Sequence, residues 1–571
     1  MLELTLSKKY IPGTNMQGDL ACADWRFLLP SLSLQKILFI GVPKKQDLNV
    51  LVRTSDEAII ISENKEQLQK FEDEAKKDIV GNVEFVHVDK TDQFPVEDKS
   101  IDLIHVVDAK VSEVLFSKAS IAEEIDRVLT PEGSLYFEMV GWLQRAKLNK
   151  LLGRLSSFGL EQKARLWLSP FSGELRTALP VNNNKISTYF FKNVLYGNSK
   201  KKRAASKIGS LLSDASLLGS VTPRHGILIN RNSNGFSEVV PKYIVSMAKE
   251  SSVDLTGLEY GFSARGKGNS NKVIFFLFEE AKTVPASVVK MTRSSDFNAR
   301  LENEHVILSE LDQNNQISND TFPQPLFFGE LNGTAVLSLK AIDGSPFRTR
   351  TTAGIDCPFT KQALDWLVNL GAATTTGKVN PVSELSKALF KLYDRFNEIY
   401  SLTEQEQSFL REKLSFEKNM DEKLPLVLQH GDPGTWNMMV TDDDKLVVID
   451  WESGEKKGMP LWDIFYFLQT YGGWMGRQQG SMDPFDNFTR SFLEKSPLLL
   501  LCKKTVDEYC QLIDLDKSMV EPLFYSCWMH RALKESARMP VDEVGSGRFI
   551  NYLKLAIKER DGAGLSTLFS Q

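Results

Sequence analysis

Residues 430–437 read His-Gly-Asp-Pro-Gly-Thr-Trp-Asn, and residues 446–452 read Leu-Val-Val-Ile-Asp-Trp-Glu. The stretch between them, Met-Met-Val-Thr-Asp-Asp-Asp-Lys-Leu-Val-Val-Ile-Asp (438–450), reads as a short hairpin that folds Asp450 back toward Asp432. Phosphoryl transfer needs a carboxylate to orient a hydroxyl and accept its proton, and oxygen ligands to hold one or two Mg²⁺ ions against nucleotide phosphates. Asp432 has the chemistry for the first task, and Asn437 and Asp450 have it for the second. The bland reading of the same residues is an ordinary polar loop between two strands.

The His-Gly-Asp-x-x-x-x-Asn pattern followed by Ile-Asp-Trp-Glu resembles the aminoglycoside phosphotransferase/choline kinase-like family. That resemblance implies a protein-kinase-like, bilobal α+β fold and transfer of the ATP γ-phosphate to a small-molecule hydroxyl. It makes Asp432 the catalytic base and gives Asn437 and Asp450 to magnesium. His430 and Gly431 shape the loop. Upstream, Gly266-Lys-Gly268-Asn-Ser270-Asn271 precedes Lys-Val-Ile-Phe-Phe-Leu-Phe and resembles the family's nucleotide-covering loop. Glycines there let backbone N–H groups approach phosphate, and Ser270 adds a hydroxyl donor. Lys290 ends the next strand where the family places its phosphate-binding lysine, and Glu304, on a helix, is the expected ion-pair partner. Leu339-Lys340-Ala341 stands where a hinge would hold adenine, and Asp463 matches an acid that anchors the loop.

The first 140 residues follow another pattern. Strand candidates at 36–41, 58–63, 83–89, 101–108 and 134–140 alternate with helical stretches, one of which ends at Pro131 and Gly133. Near-continuous apolar strands spaced by helices predict a parallel sheet covered on both faces. Val-Glu-Phe-Val-His-Val-Asp (83–89), Ile-Asp-Leu-Ile-His-Val-Val-Asp (101–108) and the approach to Leu135 resemble class I S-adenosylmethionine-dependent methyltransferases, with a Rossmann-like fold over roughly residues 25–195. By that resemblance Glu63, at the end of strand two, takes the ribose hydroxyls, and Asp89, after strand three, sits near adenine. The family's glycine-rich turn after strand one is replaced by Gly41-Val-Pro43-Lys-Lys45, which leaves little room for a helix before 58–63. The residues leave open whether this domain binds S-adenosylmethionine or is a scaffold or substrate-presenting remnant.

The expected organisation is a methyltransferase-like α/β domain at 1–235, with a solvated basic loop near 197–216, a kinase-like N-lobe at 236–345 and a helical C-lobe at 346–571. A length of 571 residues suits three or four structural units. With 69 basic against 74 acidic residues, the net charge of −5 offers no global field for nucleic acid or acidic lipid. Five scattered cysteines without a Cys-x-x-Cys pair argue for a reducing compartment. No apolar stretch has the length of a membrane span, so the expectation is a cytoplasmic protein. His87 and His105 read as strand histidines, and His225, His305 and His530 lack metal-ligand spacing.

The function expected is an ATP- and Mg²⁺-dependent phosphotransferase acting on a sugar, amino alcohol or glycoside, fused to the methyltransferase-like domain. Two alternatives stand beside it: a two-activity enzyme modifying one glycan or natural product, and a nucleotide-binding scaffold without turnover. Protein kinase activity is disfavoured, because the loop reads His-Gly-Asp rather than His-Arg-Asp. The acceptor and the oligomeric state are not readable from the residues.

Overall fold

The computed structural model describes residues 20–570 except 80, 90–92, 108–117, 119, 142–143, 196–199, 232–239, 265–270 and 416–422, and describes the backbone alone at 144–147, 200–203 and 423. The chain divides into two compact units. The first comprises Gly13–Leu301 and Pro325–Ala341, and the second comprises Glu302–Gln324 and Ile342–Gln571.

The first unit is built on one sheet of thirteen strands. β1 (Leu34–Ile40), β2 (Ser55–Ser62), β3 (Val83–His87), β4 (Ile101–Val106) and β5 (Leu129–Val140) are parallel in the order 3-2-1-4-5. β6 (Leu160–Ser169), β7 (Thr177–Pro180) and β8 (Arg224–Arg231) continue it, with β8 antiparallel between β5 and β6. Alternation along each strand explains why the sheet is covered twice. Ile37, Phe39, Ala58 and Ile60 enter one core, and Leu38, Ile40, Ile59 and Ile61 enter the other. A period of two with both phases apolar is what a doubly covered sheet requires.

The sheet does not stop at β7. The antiparallel strands β9 (Glu259–Ser263), β10 (Lys272–Phe278), β11 (Ser287–Thr292), β12 (Pro325–Leu331) and β13 (Thr334–Lys340) extend it, joined through pairs Thr177–Ser263 and Ala178–Phe262. One apolar core runs beneath both parts, from Ile37 and Phe39 to Phe275 and Val336. A buried ion pair fastens the N-terminal segment to the far strands: Arg293 Nε and Nη2 donate to the two Asp24 carboxylate oxygens, each at 2.7 Å. Strands on both sides of residue 235 thus share one sheet and one core, and the compact division falls at residues 301, 325 and 341.

Three local expectations are corrected. The turn after β1 does hold a helix, Lys45–Leu51, because Pro43 lies ahead of the first turn and Leu48, Val50 and Leu51 gain burial. The basic run expected as a loop begins the helix Lys200–Asp214. The helix expected to stop at Pro131 is Ile121–Val128, and Pro131 and Gly133 lie inside β5, where pairing with β4 shifts register between Ile101 and Leu103.

The second unit is mostly helical. Its longer helices include Pro358–Thr374, Val382–Ile399, Trp462–Gln478, Pro497–Leu512 and Val520–Ser536. Three small sheets interrupt them: Gly344–Pro346 with Met438–Thr441 and Leu446–Val448, Asn380–Pro381 with Lys423–Leu424, and Val427–Gln429 with Glu455–Gly458. No helix among the described residues is long and apolar enough to cross a membrane.

Candidate functional site

The 430–437 loop leaves the strand Val427–Gln429 and enters the strand Met438–Thr441. Three residues hold its entrance. Gly431 has φ +74°, and a Cβ there would fall 2.0 Å from the Ser453 carbonyl oxygen, so only glycine fits. Asp463, in the first turn of Trp462–Gln478, accepts the backbone N–H groups of His430 at 2.6 Å and Gly431 at 3.1 Å. Burial pushes the Asp463 carboxyl up, while His430 and the two amides oppose the shift. The His430 ring bonds the Ile449 carbonyl through Nε2 at 3.0 Å, and its Nδ1 accepts from the Asp432 N–H at 3.2 Å. That tautomer is neutral, in keeping with a pKa lowered by burial.

Asp432 and Asn437 are in direct contact. Asn437 Nδ2 donates to the Asp432 carbonyl at 2.9 Å and to Oδ2 at 3.2 Å. Both amide hydrogens are committed, which leaves Asn437 Oδ1 for another partner. The Ile449 N–H donates to the Asn437 carbonyl at 2.9 Å, so Asp450 follows directly on a bond that ties the two segments together. Asp450 has φ +69°, a left-handed conformation in which aspartate is among the tolerated residues. The Trp451 N–H then donates to Glu304 Oε1 at 3.2 Å. The side-chain oxygens of Asn437 and Asp450 are hard donors of the kind a divalent cation takes. Groups of three or more His, Cys, Asp or Glu suited to a metal are absent among the described residues.

Arg531 was not singled out from the sequence. Its Nη1 donates to the Gly431 carbonyl at 2.7 Å and its Nη2 to Asp432 Oδ1 at 3.0 Å. The guanidinium lies 3.3 Å from the centroid of the Tyr466 ring, a cation–π contact at close range. Burial alone would lower its pKa, but Tyr466 and Asp432 outweigh burial and hold it charged. A signal existed in the sequence: Leu523, Phe524, Cys527, Trp528 and Met529 make the middle of this helix largely apolar, and Arg531 follows two residues later. A charge placed in such a run is expected to have a partner.

The other expected residues are distributed as follows. Lys290 is buried on β11, opposite Ile274 and Leu337, in the first unit, and Glu304 belongs to the second. Gly266, Gly268 and Ser270 lie outside the described residues. Glu63 directly follows β2 and meets Lys118 at 3.4 Å, with 44% of its side chain exposed. Asp89 lies two residues beyond β3 and is exposed. Gly41, at the end of β1, has φ +93° and donates its N–H to the Ile61 carbonyl.

No curated protein matches the sequence. The model of the phosphotransferase enzyme family matches residues 261–493, and that of a methyltransferase domain matches residues 39–137. Similar solved structures include the N-methyltransferase NodS from Bradyrhizobium japonicum WM9 in complex with S-adenosyl-L-homocysteine, at 15% identity and TM-score 0.21, covering 27% of this chain and 80% of that one. Another is the ribosomal protein L11 methylase from Lactobacillus delbrueckii subsp. bulgaricus, at 11% identity and TM-score 0.22, covering 40% and 91%. The fold likeness lies in the strand order 3-2-1-4-5 with the antiparallel β8 beside β5. The chain joins a methyltransferase domain at 39–137 to a kinase-like, phosphotransferase-family domain at 261–493.

Proposed function

We propose that the 430–450 region transfers the γ-phosphoryl group of ATP to a hydroxyl of a small molecule such as a sugar, amino alcohol or glycoside. The observation that carries this reading is the bonding of Asp432 to Asn437 in a loop whose following hairpin, Met438–Thr441 with Leu446–Val448, delivers Asp450. Asp432 orients the hydroxyl and takes its proton, an exchange that needs reach of roughly 2.6–3.2 Å. Asn437 fixes the Asp432 carboxylate through Oδ2, and Asp463 and Gly431 fix the loop that presents it. Asn437 Oδ1 and Asp450 would hold Mg²⁺, which offsets charge on the phosphates during transfer.

The strand ends of the methyltransferase domain fit S-adenosylmethionine less well. Glu63 already meets Lys118, and both Glu63 and Asp89 are open to solvent. No chemical step is assigned there.

The test is ADP release by the full chain across a collection of hydroxyl metabolites, beside the Asp432→Asn variant. At least one compound should raise ADP release in the unmodified chain and fail to do so in the variant. Nucleotide binding with no compound-dependent turnover would leave the scaffold reading in its place.

A further inference from the structure

Both oxygens of the Asp432 carboxylate are taken by side chains of opposite kinds: Oδ2 by the neutral amide of Asn437, Oδ1 by the guanidinium of Arg531. The Arg531 side chain is 10% exposed, whereas that of Asp432 is 31% exposed. The cation is fixed inside, and the carboxylate keeps an open side. A hydroxyl within hydrogen-bond reach of Oδ1 therefore lies no more than about 6 Å from Arg531 Nη2. Whatever the acceptor carries next to that hydroxyl meets a buried positive charge.

A second arginine grips the same loop. Arg348 Nε donates to Thr435 Oγ1 at 2.8 Å, and its guanidinium stands 5.2 Å from the ring centroid of Trp436, which is 40% exposed. The acids packed nearby are committed elsewhere. Asp463 holds two backbone amides, Glu535 Oε2 accepts the Phe549 N–H at 2.9 Å, and Glu455 stands 3.9 Å from Lys534 Nζ. An acceptor bearing an amine would bring a second cation beside the buried guanidinium of Arg531. An acceptor bearing an oxyanion would meet a fixed positive charge of the guanidinium kind that suits carboxylate and phosphate.

Building on the phosphotransferase reading, we propose that the acceptor is an anionic alcohol, whose carboxylate or phosphate is drawn to this corner by Arg531 and Arg348. This choice excludes amino alcohols from the acceptor classes that suit the loop. Arg531 also positions Asp432 through the same guanidinium, so its two tasks must be separated experimentally.

The experiment measures ADP release from MgATP by the full chain with four size-matched probes: glycerate, glycerol 3-phosphate, glycerol and ethanolamine. We expect glycerate or glycerol 3-phosphate to be preferred over glycerol and ethanolamine by at least about tenfold in kcat/KM, and the better of the two names the oxyanion. Arg531→Gln should raise KM for the anionic probe at least about tenfold with KM for ATP unchanged, Arg531→Lys should recover part of that loss, and Arg348→Gln should raise the same KM less. Preference for ethanolamine or glycerol would overturn the inference while leaving phosphoryl transfer in place. So would an Arg531→Gln variant that loses kcat alone. ADP release with none of the four, unaltered by Asp432→Asn, would remove the phosphotransferase reading and this inference with it.

Discussion

Two places in this chain pair strand ends with acids, and they are built differently. At the 430–437 loop, Asp432 touches Arg531 and Asn437, Asp463 holds two backbone amides, and His430 links the loop to the Ile449 carbonyl. At the ends of β2 and β3, Glu63 meets Lys118 at 3.4 Å and Asp89 is open to solvent. Holding a side chain in one orientation costs entropy, so a site that works on a reacting group needs a supporting shell. The first place has that shell among the described residues. The second has the strand order of a methyltransferase, and its acids stand open to solvent at the strand ends.

Substitutions can break that contrast, and the largest effect belongs to Asp432. Asp432→Asn is expected to lower kcat for ADP release by about 10²–10⁴-fold, the range of general-base losses, with little change in nucleotide affinity. Next comes Asp463→Ala, which leaves two backbone amides without their acceptor. It should cost about 2–4 kcal/mol in denaturant unfolding and lower turnover through a loosened loop. Glu63→Gln and Asp89→Asn should each shift stability by less than about 0.5 kcal/mol and leave ADP release unchanged. A larger loss from either would mean that the strand ends are as tightly supported as the loop.

Acid cuts across the comparison, because both units bury neutral histidines. Burial lowers the pKa of His105 to about 3 in the first unit, and it lowers His430 and His530 in the second. The unfolded chain binds protons near pH 6.5 that the folded chain refuses, so stability is complete above that pH and is lost as pH falls below it. Each such group costs up to about 1.4 kcal/mol per pH unit, and for His105 the loss continues to about pH 3. Between pH 7 and 4.5 the melting temperature of His105→Phe should be more favourably affected by acid than that of the unmodified chain, by the share that belongs to His105. Equal slopes in both proteins would contradict the assignment of a neutral His105.

Much of this was legible in the residues because the signals were local. The parallel strands could be read from apolar runs, and the loop from glycine, aspartate and asparagine at fixed spacing. What stayed hidden depends on distant partners. Nothing near Lys45 shows that Leu48, Val50 and Leu51 find a core to pay for a helix, and nothing near β7 shows that Ala178 pairs with Phe262. Arg531 lies 99 residues from Asp432, and only the fold brings its guanidinium to the carboxylate. The residues around it show an arginine after a largely apolar stretch, not which acid it meets.

Phosphoryl transfer at this loop requires Asn437 and Asp450 to hold a divalent ion beside a nucleotide. Mn²⁺ binding in the presence of a non-hydrolysable ATP analogue, followed by electron paramagnetic resonance, measures this without turnover. The full chain should bind the ion, Asp450→Asn should weaken binding by at least about tenfold, the scale of an altered metal ligand shell, and Glu63→Gln should leave it unchanged. Equal Mn²⁺ affinity in the unmodified and Asp450→Asn chains would contradict the account.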